Sequence, residues 1–212
     1  MTDINSIILL VVILLNFFIL GSARLVACIR AVALQGALLA LLPVIVHGFS
    51  LHSLGLAGGA FLFKGGLIPW LLLRAIREVR IRREVEPLIS LVATLFLGAM
   101  ATVAAFLFAD QLPLIHASQA GVLVPASLAT MLAGFLLLMT RRKAITQVVG
   151  YLMLENGIFI FGVLLSTAMP LVVEAAILLD LLVAVFVMGI VLNHVNREFS
   201  SINIERLSAL KE

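Results

Sequence analysis

Seven stretches of this chain each run for about 20 residues almost without charge, the length a helix needs to cross a hydrocarbon core. They fall at residues 4–21, 25–46, 54–73, 88–109, 122–139, 144–166 and 169–194. None alternates apolar with polar residues as a barrel strand facing a lumen must. The expected fold is therefore all-α: a polytopic membrane bundle of about seven transmembrane helices. Composition agrees, because 63% of the 212 residues are hydrophobic. A soluble domain of this size runs at roughly 45–50% and could not hide the excess in one core. The first stretch has Asp3, no preceding basic residue and no small-residue cleavage site, so it reads as a retained helix and not a signal peptide.

The 14 Lys and Arg residues order the topology. Arg24 and Arg30 flank the first turn, and Arg74, Arg77, Arg80, Arg82 and Arg83 fill the third. Arg141, Arg142 and Lys143 fill the fifth, while Arg197, Arg206 and Lys211 lie in the tail. The alternate loops near 47–53, 110–121 and 167–168 contain none. Basic loops mark the cytoplasmic side, so the N-terminus is expected outside and the C-terminus in the cytoplasm. The basic pI of about 9.6 thus reflects topology and not nucleic-acid binding. The charged connector 74–87 reads as a solvated helix extension, with a docking surface for a partner as the other reading.

The remaining cation, Lys64, lies within a span. It is about nine residues into the third stretch, Glu155 about eleven into the sixth and Asp180 about ten into the seventh. At about 1.5 Å per residue, all three sit near the middle of a core about 30 Å thick. A charge there costs roughly 2.5–3.5 kcal/mol on insertion scales. A buried ion pair that merely orients helices is one reading, although apolar replacements of such pairs are often no less stable. The other is an ion relay, since burial and neighbours can move these groups towards neutral pH. Glu174, about five residues into the seventh stretch, is an exit step or a rim carboxylate. Gln35 and Gln147 are lesser candidates for the same polar path.

Pro69 cannot donate to the carbonyl of Gly65, so a kink is expected beside Lys64. Gly150, Gly157 and Gly162 suit close helix approach in the sixth span. Cys28 stands alone and is expected to pack between helices. His47, His52, His116 and His194 fall near span ends, without zinc-site spacing. No phosphate loop, nucleophile elbow or flavin fingerprint is present, so catalysis by this chain alone, or a cofactor or metal of its own, is not expected.

The closing residues carry a resemblance. Arg141-Arg142-Lys143, Gly150-Tyr151 through Glu155-Asn156 and Asn203-Ile204-Glu205 resemble the three-helix K subunit of respiratory complex I. The small three-helix component of multi-subunit Na+/H+ antiporters is similar. With Ala60 to Lys64 before Pro69, Glu174, Asp180 and the closing Leu207 to Lys211, the whole chain resembles hydrogenase-4 component E. The resemblance divides the chain into four N-terminal helices (1–121) and a three-helix module with its tail (122–212). In the K subunit the two glutamates stand at the places of Leu152 and, within a residue, Ala184. Here Glu155 and Asp180 are displaced together by about one turn, which keeps the pair and shifts its plane.

The resemblance implies a non-catalytic membrane-arm subunit of a complex I-like hydrogenase, coupling electron flow to proton or sodium movement. Its partners would be other membrane subunits, antiporter-like ones included, in the lipid bilayer of a bacterial or archaeal cytoplasmic (inner) membrane, with nickel, iron–sulfur clusters and electron transfer left to them. A subunit of a cation/proton antiporter without a redox partner, and an assembly scaffold, are the alternatives. The charge bias predicts opposite accessibility for cysteines placed at Ser118 and Ser201. Labelling of both from one side of the membrane would refute the topology.

Overall fold

The computed structural model describes residues 2–78, 87–112 and 117–165, together with residue 189. The described residues are helical, and no strand forms among them. Six of the helices are long and apolar enough to cross a membrane. The chain is therefore a multi-pass helical membrane protein. All of the expected seventh span except residue 189, Asp180 and Glu174 included, lies outside the described residues, as does most of the charged connector.

Helix α1 (Thr2–Gly21) leads into α2 (Leu25–Leu39) and a short α3 (Leu42–His47). The second span is broken because Pro43 has no N–H to offer the carbonyl of Leu39. The third span has three parts: α4 (Leu51–Ala60), a π-helical segment (Phe61–Leu67) and α5 (Ile68–Glu78). A capping box between Ser50 and Ser53 starts it. The kink expected from Pro69 takes the form of this π-helix, in which the Ile68 N–H donates to the carbonyl of Phe63, five residues back. Ala60, Lys64, Ile68, Leu72 and Ile76 all face inward along this span.

Helix α6 (Leu91–Asp110) begins slightly later than the apolar run, because the Ser90 hydroxyl accepts from the Ala93 N–H and caps it. Before the cap, Leu88 N–H donates to the Thr140 carbonyl at 2.8 Å, tying the connector to the end of α7 (Ala117–Thr140). Helix α8 (Ala144–Leu165) then returns along α7, and these two make the most extensive helix pair among the described residues.

Glycine sets that pair's spacing. A Cβ on Gly134 would stand 2.5 Å from the Leu154 nitrogen, and one on Gly157 2.7 Å from the Met131 nitrogen. At Gly150 it would stand 2.9 Å from the Leu138 nitrogen. Lipid supplies no hydrophobic force between helices, so close backbone packing of this kind holds them. Gly162 is buried as well, although among the described residues nothing lies within 4 Å of its would-be Cβ. Gly134→Ala should lower stability by at least about 1–3 kcal/mol, the usual range for overpacking. Unfolding of this variant in mixed micelles checks it; unchanged stability would refute the glycine account.

Candidate functional site

Among the described residues, two apolar layers make up the interior. One gathers Ile19, Leu20, Leu25, Ile29, Leu72 and Met153 near the end where α1 meets α2. The other gathers Leu9, Val12, Leu39, Leu42, Leu123 and Ile160 towards the opposite end. In α1, α2, α7 and α8 a polar residue stands at the level between them.

Asn16, Gln35, Thr130 and Asn156 are all buried at this level. They form one directed chain of side-chain hydrogen bonds. Asn156 Nδ2 donates to Gln35 Oε1 at 3.4 Å, and Gln35 Nε2 to Asn16 Oδ1 at 2.8 Å. Asn16 Nδ2 donates to Thr130 Oγ1 at 2.9 Å, which in turn donates to the carbonyl of Ala126 at 2.8 Å. The long first link is the weakest. Every donor points the same way, so each link polarises the next, and the run ends on a helix carbonyl.

The ionisable residues join the same level. Lys64 is 5% exposed and Glu155, beside Asn156, is 2% exposed. Lys64 Nζ lies 5.2 Å from the centroid of the Phe159 ring, a cation–π contact. Phe159 follows Glu155 by four residues, so both occupy one face of α8 and Lys64 is presented to that face. Gly36 makes room for this. A Cβ there would be 2.7 Å from Lys64 Cβ and 3.0 Å from its carbonyl oxygen. Gln35 and Gly36 thus act as neighbours on α2, one extending the amide chain and the other admitting the lysine backbone.

The structure therefore brings Lys64, Glu155 and Gln35 to one polar level. Gln147 is elsewhere: its Nε2 donates to the Arg141 carbonyl in the α7–α8 connection. His47 bonds the Val163 carbonyl at 2.9 Å, consistent with a residue at a span end. Cys28 is buried, its thiol 3.8 Å from the carbonyl of Ile19.

Sequence reasoning missed Asn16, Thr130 and Arg141. Asn16 had a signal, as a lone amide deep in an apolar run; Thr130 had none, since threonine is at home in either setting. Arg141 was read only as a loop charge, yet it is 1% exposed. Its Nη2 donates to the Leu20 carbonyl at 2.7 Å, placing a cation on the C-terminal carbonyls of α1, where the helix dipole favours it. Burial pulls its pKa below the ordinary arginine value, with Cys28 opposing the shift. An arginine nevertheless keeps its charge.

An apolar exterior with ionisable side chains held at mid-depth among amides defines a polytopic membrane protein with an intramembrane polar site. The chain belongs to the family of the uncharacterized protein Rv0085 of Mycobacterium tuberculosis, to which it is 32% identical over 191 residues, 88% of this chain and 86% of that one. It is also similar to hydrogenase-4 component E of Escherichia coli (strain K12) and of Shigella flexneri. In each case 25% of 155 residues are identical, covering 73% of this chain and 72% of the relative. That identity marks a distant relation. No family model matches the chain, and no solved structure matches it.

The amide chain has an energetic signature. Asn16→Leu orphans Gln35 Nε2 and should destabilise by about 1–3 kcal/mol, more than the roughly 0.6 kcal/mol average for an interhelical bond in a membrane. Adding Gln35→Leu should cost less than the sum of the two single changes. Additive losses in a double-mutant cycle would show that the two amides act independently.

Proposed function

We propose that this chain is a non-catalytic membrane-arm subunit of a complex I-like, membrane-bound hydrogenase that helps couple electron transfer to proton or sodium movement. The observation that carries the reading is Lys64 and Glu155 at one buried polar level, in a chain distantly related to hydrogenase-4 component E. A scaffold gains little from a buried charge, because desolvation offsets most of the attraction it provides. Charges in a low-dielectric layer act on each other more strongly than in water. A charge that moves at one of them is then felt at the other, which is what a coupling element requires. The neighbouring amides fix side-chain positions and present dipoles; Glu155 and Lys64 hold the exchangeable charge. Asp180 is proposed as the third member of this unit and Glu174 as a step towards the outer surface. Redox centres belong, in this reading, to other subunits, antiporter-like membrane subunits among its neighbours.

Glu155→Gln keeps size and hydrogen bonding while removing the titratable charge. In the assembled complex it should leave redox turnover with artificial donors near the parental rate and cut ion flux into proteoliposomes at least severalfold. Lys64→Met should act in the same direction or weaken assembly. Undiminished flux with Glu155 and Asp180 both neutralised would sink the relay and favour a scaffold.

A further inference from the structure

The outer face of the α1–α2 pair carries a groove of about 780 Å³ that the buried polar layer does not use. Leu15 and Phe18 of α1 form one wall, and Ala27, Ala31 and Leu34 of α2 form the other. Arg24 and Arg30 also line it. The apolar part is open to the surroundings, Phe18 being 53% and Leu34 51% exposed.

Arg24 lies just before α2 and marks the membrane-surface end of the groove. Arg30 is five residues beyond Leu25, about 8 Å further along the helix. A loop charge that only orients the chain has no need to lie inside the span. Both arginines are exposed, and neither guanidinium has a hydrogen-bond or ion-pair partner among the described residues. An arginine within a span normally faces a protein interior or finds a counter-charge, since hydrocarbon solvates it poorly. Here it faces outward into a slot whose other walls are apolar.

We infer that this groove is a binding site for an anionic phospholipid, with the phosphate held between Arg24 and Arg30 and an acyl chain lying against Leu15, Phe18, Ala27 and Leu34. Guanidinium groups bind phosphate oxygens through paired N–H donors, which gives the head its selectivity. Basic pockets between transmembrane helices are a recognised setting for such headgroups. The small side chains of Ala27 and Ala31 leave the width that an acyl chain fills. The inference is independent of the proposed coupling role.

The test uses the full-length chain in neutral detergent, titrated with phosphatidylglycerol or phosphatidylcholine of matched acyl chains and read by native mass spectrometry. Phosphatidylglycerol should be retained about tenfold more strongly. Arg24→Gln combined with Arg30→Gln should bring it to the phosphatidylcholine level. Ala27→Phe, which fills the slot but keeps both charges, should lower retention of phosphatidylglycerol. A melting scan of each variant confirms that it is folded. Equal retention of the two lipids by the parent, or unchanged selectivity in the folded double variant, would overturn the site. Displacement of the lipid by millimolar inorganic phosphate would reassign it as a free-anion site. A photoreactive residue at Leu34 that links to a protein in native membranes, and not to lipid, would replace the lipid by a partner subunit.

Discussion

A polar group sunk in hydrocarbon must find its partner inside the protein, because no water is there to provide one. That constraint makes each span helical, since a helix satisfies its own backbone. It also accounts for the positions where regular helix gives way. Pro43 divides the second span, and the π-helix before Pro69 redirects an N–H to a carbonyl five residues back. The same rule governs side chains: four amide and hydroxyl groups from four helices meet in one chain, and each donor finds an acceptor.

Two kinds of contact then divide the labour of holding the helices. Between α7 and α8 it is backbone against backbone, through Gly134, Gly150 and Gly157, with no polar side chain required. Between α1, α2 and the α7–α8 pair it is the amide chain, reinforced at one end by Arg141 on the α1 carbonyls. The first kind fixes distance; the second fixes which residues meet at which depth. Lys64 relies on both, since Gly36 sets its approach while Gln35, one residue earlier, belongs to the amide chain.

Much of this was legible in the sequence, for identifiable reasons. Apolar run length located the six described spans to within a few residues, because bilayer thickness leaves little freedom. Depth counting placed Lys64 and Glu155 at a common level, and both are buried there. Residue spacing could not reveal partners on other helices, so Gln35 was weighed equally with Gln147 although only Gln35 joins the chain. Nor could it show that Gly157 meets the Met131 backbone. Arg141 shows the limit most clearly: a charge-counting rule assigns it a side of the membrane and says nothing of the helix end it closes.

The π-helical segment has a consequence for helical phase. Ala60, Lys64, Ile68, Leu72 and Ile76 are all buried, a repeat of four residues sustained over the whole span. In a regular helix each residue turns by about 100°, so a step of four overshoots a full turn by about 40°. Three such steps from Lys64 would swing Ile76 roughly 120° around the axis, out of the core and towards lipid. The wider turns between Phe61 and Leu67 lag where the α-helical turns lead, and the two drifts offset each other. One irregular segment thus lets a single helix keep a charged residue and an apolar anchor on the same inward stripe.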